Sequence, residues 1–156
     1  MISYEKYLKR QFDFLASTLG LLFGMPFLIF IIAAIRIDSP GSVLYRQQRI
    51  GMGGKPFQIL KFRSMLPLEH SRTSCGEVMP NEDRVTRVGR VLRRSGLDEL
   101  PQLINIVRGE MSLVGPRPTL PYQVERYADF QRQRLNVRPG LTGLAQVMGR
   151  NDLTWD

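Results

Sequence analysis

Twenty-two consecutive residues without a charge, Phe14 to Ile35 (FLASTLGLLFGMPFLIFIIAAI), constrain this chain more than any other feature. As one straight helix the stretch would be about 33 Å long, enough to cross the hydrocarbon core of a bilayer. A cleaved signal peptide fits poorly, because the run is too long and no small-residue cleavage site follows it. A simple spanning helix satisfies the length. A re-entrant segment satisfies two further features. Pro26 sits just past the middle, behind Gly20 and Gly24. An interior proline removes a backbone hydrogen bond, clashes with the preceding turn and costs about 3 kcal/mol unless the helix bends there. Basic residues also flank both ends, with Lys6, Lys9 and Arg10 before and Arg36, Arg46, Arg49, Lys55, Lys61 and Arg63 after. A spanning helix would place one set on the wrong side of the membrane. A helix that breaks at Met25-Pro26 and leaves by the face it entered meets both demands, and a kinked spanning helix is its alternative. Either way the polar remainder is expected at the cytoplasmic surface.

That remainder belongs to a chain of 156 residues, the size of one domain. At 43% hydrophobic it can bury a core. Its 22 basic residues outnumber 14 acids for a net charge of +8, and 18 of the 22 are arginine. The planar guanidinium fits phosphate with two parallel hydrogen bonds, so the excess points to phosphate partners. A single Cys75 and a single His70 exclude a disulfide framework and a Cys/His zinc cluster, and neither residue is assigned a role.

Turn residues Asp38 to Gly41 end the apolar segment. Val43 to Ile50 and Phe57 to Phe62 read as strands of a hairpin around Gly51-Met52-Gly53-Gly54-Lys55. That loop is no P-loop, since Pro56 occupies the hydroxyl position. Pro67 to Asp83 reads as surface loop. Arg84 to Arg94 reads as a helix with Arg84, Arg87, Arg90 and Arg93 along one side. Such a stripe is either a solvated basic face or an anion site, because the arginines repel one another without an acid at i±3 or i±4. Leu97 to Val107 has helical periodicity and Gly109 ends it. Gly115-Pro116-Arg117-Pro118 is a rigid loop presenting Arg117, Pro121 to Leu135 is helical, and Arg138 to Gly143 is a second Pro/Gly loop.

Asp98-Glu99 is the most informative pair. Two acids at a helix start commonly serve only as cap and dipole partners. Among arginines that attract phosphate, carboxylates have two other uses: attack on phosphorus, and holding Mg²⁺ against phosphate oxygens. Adjacent helical residues point about 100° apart, which suits separate roles.

Several stretches together resemble the bacterial sugar transferase family, the monotopic polyprenyl-phosphate phosphoglycosyl transferases of the minimal type. They are Lys61-Phe62-Arg63-Ser64-Met65, Leu92-Arg93 with Leu97 to Leu103, Gly109 to Pro118, Arg138 to Val147, and Gly149-Arg150-Asn151. The resemblance runs from Tyr4 to Trp155. It implies transfer of a sugar 1-phosphate from a UDP-sugar to undecaprenyl phosphate at the cytoplasmic face of the bacterial inner membrane, with release of UMP. By it Asp98 is the nucleophile that forms an aspartyl phosphosugar, and Glu99 is the Mg²⁺ ligand. Arg93, Arg117, Lys61 and Arg63 hold phosphate groups, Met25-Pro26 is the hairpin break, and Lys9-Arg10 is the basic pair at the membrane surface, facing anionic headgroups. Met25 stands where many members carry Ser. Members commonly extend past the position of Asp156, so a further C-terminal segment is expected in the complete enzyme.

The expected fold is α+β, with a re-entrant membrane helix-break-helix over residues 1–36 and a cytoplasmic catalytic domain over 37–156. That domain is expected to be mainly helical with a small β-hairpin. A homodimer is kept among the partners, and nucleic acid is not. The rival reading is a membrane-tethered basic module that binds anionic lipid or nucleic acid. It accounts for the charge and the anchor but leaves Asp98-Glu99 and the two Pro/Gly loops without a purpose, and no aromatic-interleaved basic strand supports nucleic acid.

Overall fold

A computed structural model describes residues 2–71 and 78–148; Cys75 and the Gly149-Arg150-Asn151 motif lie outside them. The element order mixes helix and sheet. Helix α1 spans Ile2–Asp38, strands β1 (Leu44–Ile50) and β2 (Pro56–Phe62) pair in a two-stranded sheet, and α2 covers Arg87–Ser95. Then follow α3 (Gln102–Arg108), β3 (Ser112–Val114), α4 (Pro121–Glu125), α5 (Asp129–Arg132), β4 (Gly140–Thr142) and α6 (Leu144–Met148).

Where helix-break-helix was expected, α1 runs as one continuous helix with Pro26 inside it. Pro26 brings no N–H, so the Leu22 carbonyl loses its helical donor without the backbone leaving the helical region. The chain divides into two compact units, and the division within α1 falls between Leu22 and Phe23, at that same turn. One unit holds residues 1–22, 46–59 and 102–156, and the other holds 23–45 and 60–101.

In the second unit, Ile31 and Ile35, one turn apart on α1, form a core with Phe62 and Leu92. Leu28, Val43, Val88, Leu97 and Leu100 pack against them. In the first unit, Ile59, Ile106 and Met111 form the core, joined by Phe57, Leu103, Leu113 and Leu141. Most of the remaining surface of α1 is apolar and exposed, including Phe12, Leu22, Phe23, Ile29 and Phe30. The helix is long and apolar enough to cross a membrane, and only 11% of its most apolar window is buried. That separates it from the core helix of a soluble protein.

Three local expectations are corrected. The helix read over Leu97 to Val107 is divided, with a 3-10 turn at Leu97–Glu99 and α3 starting only after Pro101. Proline supplies no N–H for the preceding turn and is accommodated just ahead of α3. Helix α2 starts at Arg87, so Arg84 drops out of the arginine stripe; it donates instead to Ser71, Asn81 and the Leu66 carbonyl. The stretch Pro121 to Leu135 forms α4, α5 and a 3-10 turn, not one helix. Two further strands lie where loops were expected. β3 and β4 pair in parallel, Ser112 opposite Gly140 and Val114 opposite Thr142. At three residues apiece they carry too few positions for an alternating pattern to stand out.

Candidate active site

The acidic pair is presented by a sharp change of direction. Thr86 caps α2, its hydroxyl accepting from Gly89 N at 2.9 Å, and Asp38 accepts from Val88 N at 3.0 Å. Acceptors at a helix N-terminus satisfy donors that have no partner within the helix. At the other end Gly96 takes φ 75°, ψ 6°, a left-handed conformation that glycine adopts without steric cost. The chain then makes the 3-10 turn that carries Asp98 and Glu99.

Ser64 fixes the height of α2. Its carbonyl accepts from Thr86 N at 3.2 Å, and a Cβ on Gly89 would run into that same carbonyl. One turn further, the Ser64 hydroxyl accepts from Arg93 Nε at 2.9 Å. Thr86, Gly89 and Arg93 lie at i, i+3 and i+7, so one residue touches a whole face of the helix. Arg93 is otherwise exposed. Lys61, three residues before Ser64, donates to Glu99 Oε1 at 2.7 Å. The two side chains are 18% and 22% exposed, a partly buried ion pair.

Asp98 is half-buried beside these groups. Burial holds its carboxyl above the ordinary value of 3.8. The Lys61 ammonium opposes that shift, the Glu99 carboxylate adds to it, and Asp98's own backbone N–H and Arg93 oppose it again. A partly desolvated carboxylate with cations beside it is poised for ionic chemistry.

The structure therefore brings together Lys61, Arg93, Asp98 and Glu99. Arg63 has its contacts elsewhere: it is 7% exposed, and its guanidinium donates to the Pro40 carbonyl and to Ser39 O and Oγ at 2.7 and 2.9 Å. It closes the C-terminal end of α1, where a cation meets unsatisfied carbonyls. Arg117 belongs to the other unit and is exposed on its loop. That loop is pinned by Arg49 Nη1 to Pro118 O at 3.2 Å and by Ile50 N to Thr119 O at 3.0 Å. Met25 and Pro26 are exposed on α1.

Lys9 and Arg10, expected at the membrane surface, hold the protein together. Arg10 donates to the Ile106 and Val107 carbonyls at the end of α3, at 2.6 and 2.9 Å. Lys9 reaches Asp13 at 3.3 Å, the Val114 carbonyl at 3.2 Å, and Ser112. Asp13 was not foreseen. It is 3% exposed and accepts from Ser112 Oγ at 2.7 Å and Leu113 N at 3.2 Å. Its one signal in the sequence is the i,i+4 spacing from Lys9.

Among the described residues no group of three His, Cys, Asp or Glu gathers to hold a metal. Mg²⁺ commonly takes one or two carboxylates and completes its shell with substrate phosphate and water, so Asp98-Glu99 fits it where an all-protein cage would not.

The family model described as bacterial sugar transferase matches residues 4–156. An uncharacterized sugar transferase, EpsL, of Bacillus subtilis is 42% identical over 96% of this chain and 72% of its own length. The UDP-glucose:undecaprenyl-phosphate glucose-1-phosphate transferase of Caulobacter vibrioides is 48% identical over 90% of this chain and 54% of its own. The undecaprenyl-phosphate galactose phosphotransferase of Salmonella typhimurium is 39% identical over 97% of this chain. This chain spans only 35% of that relative's length.

Proposed function

This chain belongs to the bacterial sugar transferase family, and from that premise we propose that it transfers a sugar 1-phosphate from a UDP-sugar to undecaprenyl phosphate, releasing UMP. The observation that carries the reading is the half-buried Asp98 carboxylate set beside Arg93 and the Lys61–Glu99 pair.

The chemistry follows from those groups. A carboxylate oxygen of Asp98 attacks the sugar-bearing phosphorus, a P–O bond forms, and the anhydride bond to UMP breaks with its electron pair leaving on UMP. A phosphate oxygen of the lipid then attacks the same phosphorus. That step frees the Asp98 carboxylate and yields the lipid diphosphosugar. Both steps bring anion against anion, so phosphate charge must be neutralised first. Arg93 is oriented for that by Ser64, and Lys61 supplies a second cation. Glu99, with Asp98 adjacent, would hold Mg²⁺, which when bound supplies further neutralisation of phosphate oxygens.

The acceptor phosphate hangs from a prenyl chain, which requires a site within headgroup reach of a bilayer. We read α1 as re-entrant at the cytoplasmic face of the inner membrane. Its exposed apolar surface, the interior Pro26 and the basic residues at both ends support that topology.

The decisive experiment follows UMP release across a panel of UDP-sugars with undecaprenyl phosphate and Mg²⁺. Asp98→Asn is expected to lower turnover by about a thousandfold or more, the scale seen when a nucleophile is removed. Turnover at the wild-type level would sink the nucleophile assignment.

A further inference from the structure

We propose that Arg49 is a positioning residue for phosphate binding: from the end of β1 it holds the backbone that carries Arg117, and so fixes where the Arg117 guanidinium meets a phosphate. The proposal rests on the UDP-sugar reading above, with Arg117 as the phosphate-holding residue that the family resemblance implies. The residues concerned all belong to one compact unit.

Arg117 is exposed at the centre of Gly115-Pro116-Arg117-Pro118-Thr119, and the backbone on both sides of it is tied down. Upstream, Gly115 N donates to Thr142 O and Gly140 N donates to Pro116 O, each at 2.9 Å. Downstream, Pro118 and Thr119 are buried. Proline has no N–H, so its carbonyl is the one backbone hydrogen-bonding group that Pro118 offers. Arg49 Nη1 donates to it at 3.2 Å, and Ile50 N donates to the Thr119 carbonyl at 3.0 Å in an isolated antiparallel bridge. Adjacent residues of β1 thus hold adjacent carbonyls of the loop.

The holding arm is itself braced. Gln47 and Arg49 lie two apart on β1 and share a face of the strand. Gln47 Oε1 accepts from Arg49 Nη2 at 2.8 Å. A guanidinium donates in two fixed directions at once, whereas a lysine ammonium is a single point on a flexible stem. With Nη1 and Nη2 both engaged inside the protein, Arg49 is suited to holding the loop and not the phosphate. The prolines on either side of Arg117 limit φ there as well. A binding group so fixed loses little freedom when its ligand arrives.

The test is calorimetric titration of the full chain in lipid nanodiscs with UDP as probe, together with hydrogen exchange at the Ile50 amide in the unliganded protein. Arg49→Ala is expected to weaken UDP binding about tenfold, the scale of one hydrogen bond from a charged group. Arg117→Ala should weaken it at least as much. Adding Arg49→Ala to Arg117→Ala should then cost less than about a further twofold, because residues acting through one contact are not additive. Partial unfolding would lower the number of sites and leave Kd unchanged, so the stoichiometry separates it from a positioning effect. Arg49→Lys keeps the charge without the fork and should recover only part of the loss. Gln47→Ala removes the brace without altering charge, and should weaken UDP binding about threefold where Arg117 is present. Exchange at Ile50 should quicken in Arg49→Ala.

Full additivity would mean that Arg49 meets the phosphate itself, and complete recovery in Arg49→Lys would mean that charge alone matters. Either result, or unchanged exchange at Ile50, would overturn the proposal. The two readings fail separately. Wild-type protein that binds no UDP counts against the UDP-sugar reading, and exchange at Ile50 then decides the clamp by itself. Wild-type protein that binds UDP through Arg117, with an additive effect of Arg49→Ala, counts against the positioning alone.

Discussion

An ionised Asp98 is held against its surroundings, and this has two measurable consequences. Burial raises its pKa, so the folded chain keeps this proton to a higher pH than the unfolded chain does. The stability gained from that proton is fully present below the unfolded value near 3.8 and is lost as pH rises through the folded value. At neutral pH the fold therefore carries a carboxylate that costs it stability. Asp98→Asn should melt at or above the wild-type Tm at pH 7, with the advantage shrinking as pH falls toward 4; a clearly lower Tm would contradict this. The same shift places the acid limb of the kcat/KM profile for UMP release above 3.8. Asp13 matters through its hydrogen bonds. Asp13→Ala strips the acceptor from Ser112, Leu113 N and Lys9, and is expected to cost about 2 kcal/mol in denaturant unfolding. Asp13→Asn, which keeps one acceptor, should fall between. Legibility at this scale follows distance in sequence. Asp98, Glu99 and Arg93 stand close together in the chain and could be read as a group. The partners of Asp13 lie 99 and 100 residues away, and the burial of Arg63 is decided by Ser39 and Pro40, 24 and 23 residues earlier. No local pattern records such pairings.

Among the elements, α1 bears the topological question. Its Leu22 carbonyl lacks a helical donor because of Pro26, and the basic residues on both sides favour one membrane face. In a Cys75→Ser background, Leu8→Cys and Ile37→Cys occupy exposed positions near the two ends. Both are expected to react with an impermeant maleimide from the cytoplasmic side only. Adding Pro26→Leu should move one of them to the other side, and opposite-side labelling without that change would mean a spanning helix. The apolar run and the hairpin were readable because each has a strong period or a strong composition. The division of Leu97 to Val107 was signalled by Pro101, yet the hydrophobic spacing continued across it and masked the stop. The parallel pair β3–β4 is set by approach of backbone to backbone, since a Cβ on Gly115 or on Gly140 would collide with the other's main chain. Glycines in a Pro/Gly stretch read as loop, although here they allow two strands to meet.

Considered as a whole, the chain passes between its two units at four points, near residues 22, 45, 59 and 101. Neither unit is a continuous stretch, so neither can be excised with a single cut. Helix α1 contributes to both: Asp13 is bonded to Ser112 and Leu113 in one unit, and Ile31 and Ile35 complete the core of the other. Deleting residues 1–38 would remove two core isoleucines, each worth about 2–5 kcal/mol by truncation alone. Such a deletion is expected to give aggregated protein without UMP release. Exchanging exposed Leu22, Phe23, Ile29 and Phe30 for polar residues touches none of those contacts, and should retain a cooperative melt without detergent. A well-folded, active deletion would refute this. For anyone wanting a water-soluble form for crystals or screening, the route runs through repainting the outer face of the helix, because the inner face is masonry in both walls of the building.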